Sequence, residues 1–243
     1  MEVVWGFDSV PKLCYGVATV GSYDGVHRGH RILIDEVIGR AKLCGGESVV
    51  ITFEPHPRIT LGKADSLQLL SLVEEKRILL EQLGVDYMVI IPFDKAFSQL
   101  SHEEFINDYL VARLNLKELI VGYNHRFGHN TEGNYSYLSQ HDTLKVVEVA
   151  QFRFEGEKVS STTIRRALEE GDTTMAMRLL GHPYIIIGKA DERGAIVVDS
   201  IKQLPVDGEY NALVNGEQAT ISIQERVVKQ NRVFSQEVKI ELL

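Results

Sequence analysis

The segment from Gly21 to His30 constrains the fold of this 243-residue chain most strongly, because it places two histidines between two different structural patterns. Residues 15–21, ahead of it, form a short apolar run that is typical of a buried strand, and apolar residues at helical spacing follow it. Gly21, Gly25 and Gly29 crowd the same turn, which favours a tightly folded backbone. The segment therefore predicts a strand, a glycine-bearing turn and the N-terminus of a helix.

A turn of this kind is a natural seat for an anion. The first backbone N–H groups of a helix have no partner within the helix, and the helix dipole favours negative charge there. His27 and His30 add imidazoles that can hydrogen-bond phosphate oxygens without a metal ion. A zinc site is disfavoured because no cysteine or third histidine lies nearby at ligand spacing, and ordinary surface histidines would not need so many glycines. We predict a phosphate-binding turn suited to nucleotidyl transfer.

Composition narrows the class of protein and its partners. A hydrophobic share of 44% and a charged share of 25% are those of a soluble globular protein. The formal net charge of −8 gives the protein no overall positive potential that would attract nucleic acid, so we expect no nucleic-acid partner. Cys14 and Cys44 cannot form a disulfide framework and suggest a reducing compartment. Because neither a long apolar run nor a signal-peptide pattern is visible, we expect a cytoplasmic protein without a membrane partner.

Strand and helix patterns alternate along the first three quarters of the chain. This order predicts an α/β fold with a doubly wound parallel sheet in residues 1–182, with ligands at the carboxyl ends of its strands. Beyond the opening unit, we expect strands at 48–53, 85–91, 119–122 and 145–149, a helix at 71–83, and a capping box at 101–104 that opens another helix.

From residue 183 onward the pattern is that of strands alone. An Asn215-Gly216 pair between two alternating runs predicts a type I′ hairpin. We therefore expect a small all-β domain in residues 183–243, with strands at 184–189, 195–198, 209–214 and 217–223.

Two segments that follow predicted strands are candidates for binding a flat ring system. In the first, Phe53, Pro55, His56 and Pro57 form a stiff aromatic and proline-rich wall, although a plain rigid loop would have the same composition. The second, residues 121–128, gathers amide, imidazole, guanidinium and phenyl groups between glycines. A purely structural loop seldom needs so many chemical types, but structure and function remain open there.

Residues 159–165 predict a second anion seat. Ser160 or Ser161 is a good N-cap for the helix that starts there. A good cap with a surface arginine would be the simplest interpretation. Two helix N-termini with phosphate-compatible side chains can divide a triphosphate between them, however, and Arg165 can clamp it.

These four segments, in this order, resemble the adenylyltransferase module of the bacterial FAD synthetase family, the bifunctional riboflavin kinase/FMN adenylyltransferases. The matching motifs are Gly-Ser-Tyr-Asp-Gly-Val-His-Arg-Gly-His, Thr-Phe-Glu-Pro-His-Pro, Gly-Tyr-Asn-His-Arg-Phe-Gly and Ser-Ser-Thr-Thr-Ile-Arg. The resemblance extends from about residue 15 to 188. His-x-Gly-His alone would indicate only the wider, Rossmann-like nucleotidyltransferase superfamily.

The resemblance implies that FMN attacks the α-phosphorus of ATP, with Mg²⁺ brought by the nucleotide, to give FAD and pyrophosphate. It implies no metal held by protein side chains. It also implies a role for each matching residue. The catalytic set is His27, His30 and Arg165; the ATP-binding set is Gly21, Asp24, Gly25, Ser161 and Thr162; the flavin-binding set is Phe53, Pro55, His56, Pro57, Asn124, Arg126 and Phe127.

The sequence departs from the family pattern inside and beyond these motifs. Tyr23 stands where phenylalanine is usual, and His125 and Thr131 are unusual in their loop. Residues 188–199 lack the Gly-Phe-Pro-Thr-Ala-Asn segment that serves the metal–nucleotide site of the kinase barrel, while 204–210 still resemble a remnant of that barrel. We therefore expect a truncated, degenerate kinase-like barrel without riboflavin kinase activity.

Two other functions remain open from the sequence. One is a different adenylyl- or cytidylyltransferase of the same superfamily, which the two predicted flavin-binding loops disfavour. The other is a flavin- or nucleotide-binding regulatory protein without catalysis, which the joint presence of His27, His30 and Arg165 disfavours. The oligomeric state is not predicted.

Overall fold

The computed structural model describes residues 1–62, 66–123, 128, 135–191, 195–230 and 237–243. The chain forms two compact units. The first comprises Met1–Tyr23, Gly29–Ser66 and Arg77–Phe152, and the second comprises Asp24–Arg28, Leu67–Lys76 and Arg153–Leu243. The predicted phosphate-binding turn therefore contributes residues to both units.

The first unit contains a six-stranded sheet in which every neighbouring pair is parallel. Its spatial order is β1-β4-β3-β2-β5-β6. The chain runs outward from β2 through β3 to β4 and resumes on the other side of β2 with β5, so the order reverses between β2 and β5. Open α/β sheets bind ligands at such a reversal, beyond the carboxyl ends of the strands. The strands are β1 (Glu2–Trp5), β2 (Gly16–Val20), β3 (Glu47–Glu54), β4 (Tyr87–Pro92), β5 (Leu116–Gly122) and β6 (Lys145–Val149).

Helices cover both faces of this sheet. Val17 of β2 packs with Val37 and Ala41 of the first helix, whereas Ala18 packs in the cluster that contains Ile106. Successive strand residues point to opposite faces, so the sheet is doubly wound, as predicted. The helices are α1 (Arg28–Cys44), α2 (Pro57–Thr60), α3 (Val73–Leu83), a 3₁₀ turn (Phe97–Gln99), α4 (His102–Glu104), a π-helix (Phe105–Arg113) and α5 (Tyr135–Leu138).

The predicted capping box is present at the start of α4. The Ser101 hydroxyl accepts the N–H of Glu104 at 3.1 Å, and the Glu104 carboxylate accepts the N–H of Ser101 at 2.9 Å. The helix that follows is π-helical, with the N–H of Leu114 bonding the carbonyl of Tyr109 five residues back. Apolar spacing predicts a helix here but does not distinguish the wider π turn from an α turn.

The second unit contains the helices α6 and α7 and a closed antiparallel barrel whose spatial order is β10-β13-β12-β11-β14-β9. Asn215 and Gly216 have φ values of 51° and 85°, as the predicted type I′ hairpin requires. Although the sequence predicts a truncated barrel, its six strands close. The elements are β7 (Arg153–Phe154), β8 (Glu157–Lys158), α6 (Ser161–Glu169), α7 (Thr173–Leu180), β9 (Ile185–Ala190), β10 (Ala195–Val198), β11 (Gly208–Val214), β12 (Glu217–Gln224), β13 (Val227–Lys229) and β14 (Glu237–Leu242).

One hydrophobic core joins the barrel to α6 and α7 within the second unit. Ile186, Ile221 and Ile240 of the barrel are buried in the same cluster as Ile164 of α6 and Leu179 of α7. The barrel interior is thus packed with aliphatic side chains that also anchor α6. The predicted functional boundary between residues 182 and 183 stays a prediction, since the compact unit itself includes both helices.

Candidate active site

The turn after β2 begins in the first unit with Gly21, whose backbone is hydrogen-bonded, and with the buried side chain of Tyr23. The N–H of Gly21 donates to the Ile51 carbonyl at 3.0 Å. Tyr23 donates its hydroxyl to Thr19 Oγ1 at 2.5 Å, because the Thr19 hydroxyl itself donates to a backbone carbonyl. The Tyr23 ring then meets the His30 ring edge-on, with centroids 5.1 Å apart. Thr19 therefore satisfies the buried Tyr23 hydroxyl, and the Tyr23 ring contacts His30.

Asp24 is a buried residue of the turn and belongs to the second unit. Its side chain is 4% exposed and forms an ion pair with the Arg165 guanidinium. One carboxylate oxygen also accepts the N–H of Ser71 at 3.1 Å, while Arg165 Nε donates to the Gln68 carbonyl at 2.6 Å. Burial raises the pKa of Asp24, and Arg165 and the Ser71 N–H oppose that rise. The carboxylate thus joins the turn to α6 and to the segment before α3.

Gly25 occupies a position where both the backbone conformation and the surrounding side chains require a glycine. Its φ is +86°, and a Cβ would lie 2.9 Å from Leu70 Cδ1. Its N–H donates to Ser71 Oγ at 2.8 Å, and its carbonyl lies 3.0 Å from His182 Nε2. Both polar groups of the peptide backbone at Gly25 are held by side chains, which fixes the turn.

The N-terminus of α6 lies against the same turn. Ser160 is the N-cap, because its hydroxyl accepts the N–H of Thr163 at 3.2 Å. Ser161 donates its hydroxyl to the Asp24 backbone carbonyl at 2.9 Å, and Thr162 beside it is exposed. The structure therefore brings Ser161 and Arg165 together with Asp24, as the prediction of one shared site requires.

His27 is buried and electrically neutral at neutral pH. Burial lowers its pKa to about 4, and the nearby His182 adds to the lowering. A neutral imidazole carries one N–H donor and one acceptor. His27 can therefore hydrogen-bond a phosphate but does not contribute a full positive charge to the turn.

The predicted flavin-binding wall lies in the first unit at the end of β3. The Phe53 ring packs edge-on against Phe93, with centroids 5.4 Å apart, and Pro55 is exposed. His56 is buried and caps α2, since its Nδ1 accepts the N–H of Arg58 at 3.2 Å. Pro57 is the first residue of that helix. The other predicted flavin-binding residues, Asn124, Arg126 and Phe127, lie outside the described residues, as do His125 and Thr131.

Neither a metal centre nor a membrane span is found in the part of the chain that the structure describes. Those residues include no group of three or more histidine, cysteine, aspartate or glutamate side chains arranged to hold a metal ion. Likewise, none of their helices is both long and apolar enough to cross a membrane.

Comparison with known sequences identifies the family. The family model described as FAD synthetase matches residues 11–163, which include the predicted phosphate-binding turn, the proline-rich wall and the start of α6. The chain belongs to the FAD synthetase family. This confirms the resemblance that the four motifs carry.

The chain spans less than two thirds of the length of two curated relatives that it matches. Proteins named bifunctional riboflavin kinase/FMN adenylyltransferase from Buchnera aphidicola and Listeria monocytogenes are each 33% identical to it, over 78% and 80% of its length. The alignments cover 62% and 63% of those proteins. The relative from Escherichia coli K12 is 34% identical over 82% of this chain and 68% of its own length.

A solved structure shares the whole architecture. The protein titled macrolide-efflux protein from Streptococcus pneumoniae superposes with a TM-score of 0.87, over 100% of this chain and 90% of its own. At 23% identity this likeness shows the fold alone.

Two residues that contact the turn are not apparent from the sequence as members of the candidate site. Ser71 holds both Gly25 and Asp24, and His182 lies on the Gly25 carbonyl. Ser71 stands at the predicted start of a helix and His182 within the stretch that continues the family resemblance. Neither carries a motif of its own, and 46 and 157 residues separate them from Gly25, so only the fold reveals the contacts.

We predict that His27 makes the stability of the protein fall as the pH is lowered below 6.5. The unfolded chain, with a histidine pKa near 6.5, takes up a proton that the buried site excludes until about pH 4. Between pH 7 and 4 this difference removes roughly 3 kcal/mol of unfolding free energy. Urea unfolding of wild type and His27→Gln between pH 7 and 4 tests this prediction. The unfolding free energy of the variant should fall less than that of wild type. Parallel losses in the two proteins would contradict the assignment.

Gly25→Ala should destabilise the protein more than a glycine substitution of equal backbone strain elsewhere. The matched control is Gly6→Ala, where φ is +74° and a Cβ meets nothing within 4 Å. We expect about 1 kcal/mol for Gly6→Ala and more than about 2 kcal/mol for Gly25→Ala, since Leu70 must also move. Denaturant unfolding measures both losses. Equal losses would show that the turn is not tightly packed.

Proposed function

We propose that this chain is an FMN adenylyltransferase, which transfers AMP from the magnesium complex of ATP to FMN and releases pyrophosphate. The observation that carries the proposal is the joining of the α6 N-terminus to the histidine-bearing turn through Asp24. Two anion seats joined by a buried carboxylate suit a polyphosphate better than a single anion. Membership of the FAD synthetase family supports this choice of reaction.

The reaction is a direct, in-line displacement. A phosphate oxygen of FMN attacks the α-phosphorus of ATP, the bond from that phosphorus to the bridging oxygen breaks, and pyrophosphate leaves with the electron pair. No covalent bond to the enzyme forms. Catalysis then depends on orienting the two substrates and on donors that meet the charge on the transferring phosphoryl group.

The ATP side of the site is assigned to residues of the turn and of α6. His27 and His30 donate hydrogen bonds to the phosphates, and Thr162 adds an exposed hydroxyl at the start of α6. A guanidinium has five N–H donors, so Arg165 can hold Asp24 and a departing phosphate at the same time. Gly21, Asp24, Gly25 and Ser161 shape the backbone that receives the nucleotide.

The flavin side is assigned to the wall at the end of β3 and to the loop after β5. Phe53, Pro55 and Pro57 offer apolar surface to a flat ring, and His56 is fixed by its capping hydrogen bond. Asn124, Arg126 and Phe127 keep their proposed flavin-binding role from the family motif. The proposal needs ATP and FMN as partners, without nucleic acid or membrane. It is compatible with the cytoplasmic location that the sequence patterns predict.

His30→Ala should reduce kcat for FAD formation about 10²–10³-fold, because it removes a donor that acts on the reacting phosphates. Purified protein is supplied with FMN and MgATP, and FAD and pyrophosphate are quantified together. His141→Ala, which changes a partly buried histidine hydrogen-bonded to Asn107, is the control and should leave the rate unchanged. Equal rates for wild type and His30→Ala would refute the role of the turn. FMN binding without pyrophosphate release would instead favour a regulatory protein.

We further propose that the barrel has no riboflavin kinase activity. Residues 188–199 lack the Gly-Phe-Pro-Thr-Ala-Asn segment that the resemblance assigns to the metal–nucleotide site of the kinase barrel. Riboflavin and MgATP should therefore yield neither FMN nor FAD above an enzyme-free blank, whereas FMN and MgATP yield FAD in a parallel reaction. Robust formation of FMN or FAD from riboflavin would overturn this proposal.

A further inference from the structure

Lys202 is a charged side chain with no exposed surface, which lies in the second unit on the segment between β10 and β11. Its ammonium donates to the carbonyls of Leu70 and Ile185, each at 2.6 Å, and lies 3.1 Å from the Glu75 carboxylate. These three contacts match the three N–H donors of an ammonium group. Lys202 therefore connects the segment before α3 to the first strand of the barrel.

Glu75, the anionic partner of Lys202, also contacts both the segment before α3 and the first strand of the barrel. One carboxylate oxygen accepts the N–H of Leu72 at 2.6 Å, and the other accepts the N–H of Ile187 in β9 at 3.0 Å. Glu75 has a side-chain exposure of 1%. A buried pair of this kind rarely adds net stability, because desolvation of both charges offsets their attraction. Stability alone therefore does not account for its presence.

The pair holds the backbone directly beside the phosphate-binding turn. Leu70 precedes Ser71, whose N–H donates to Asp24 and whose hydroxyl accepts the N–H of Gly25. The neighbouring Leu69 is bridged to residues 201–203 by two backbone hydrogen bonds of 2.7 and 2.8 Å. Burial lowers the pKa of Lys202, while the charges of Glu75 and Asp24 oppose the lowering. The charges of the pair and of the turn thus act on one another.

We propose that Lys202 and Glu75 are positioning residues for adenylyl transfer, through which the barrel fixes Ser71 and hence the Asp24–Gly25 turn. The inference rests on the proposed function. It gives the barrel a purpose in the adenylyltransferase reaction that does not depend on kinase chemistry.

The test is the double variant Lys202→Met/Glu75→Leu, which replaces the pair by apolar side chains. Buried ion pairs replaced in this way often leave stability unchanged or improved. We expect a folded protein whose kcat for FAD formation falls about tenfold to a hundredfold, since small misplacements of catalytic groups have effects of this size. The backbone amides of Gly25 and Ser71 should exchange with deuterium about tenfold faster, while that of Ile221 in the barrel core is unchanged.

The matched control is Arg40→Met/Glu118→Leu, which removes another buried-carboxylate ion pair, near the amino end of β5 in the first unit. It should leave kcat and the exchange of Gly25 and Ser71 unchanged. Should the first double variant fail to fold, Lys202→Met/Glu75→Gln, which keeps the shape of the Glu75 side chain and leaves no unpaired buried charge, provides the same readouts.

The results separate this proposal from the proposed function. Wild-type kcat and unchanged amide exchange in a folded Lys202→Met/Glu75→Leu or Lys202→Met/Glu75→Gln variant would overturn the positioning role. A loss of kcat with uniformly faster exchange across the barrel would also overturn it, since that indicates general unfolding. If wild type forms no FAD, the proposed function fails, and the Gly25 and Ser71 exchange rates still decide whether the pair orders the turn.

Discussion

The buried carboxylate of Asp24 is the constraint on which the candidate site depends. Removed from water, it is tolerable only because Arg165 and the Ser71 N–H satisfy it, and each of these partners comes from a different part of the chain. The turn, α6 and the segment before α3 are therefore held in one arrangement by a single charged group. That arrangement places the α6 N-terminus beside the turn before any nucleotide arrives, which is the preorganisation that phosphoryl-group chemistry needs.

The barrel extends the same principle to a larger part of the second unit. Its core includes Ile164 of α6, so the helix that carries Arg165 is anchored by apolar packing as well as by charge. Lys202 and Glu75 then fix the backbone next to Ser71. Under the proposed function, the barrel takes part in adenylyl transfer through this packing and the buried pair, and that role does not depend on kinase chemistry.

Local patterns in the sequence predict most of the fold and part of the site. The His27–His30 turn, the capping box at Ser101 and the Asn215 hairpin each depend on neighbouring residues, and the structure confirms the local conformations. The parallel sheet follows from the alternation of strand and helix. The contacts of Ser71 and His182 with Gly25, and the burial of Lys202, depend on residues far apart in sequence. No local pattern encodes such contacts. The sequence also does not predict the edge strand β1, which is too short to show a clear hydrophobic alternation. Nor does it predict that the helix at Phe105–Arg113 is π-helical, because apolar spacing distinguishes π from α turns poorly.

The fate of the phosphates of ATP tests the central claim most directly. FMN is incubated with the protein and with ATP labelled with ³²P either at the α- or at the γ-phosphorus, and the products are separated. Adenylyl transfer predicts that the α label appears in FAD and the γ label only in pyrophosphate. A γ label in any flavin product, or an α label that remains in ATP while FMN is bound, would contradict the account.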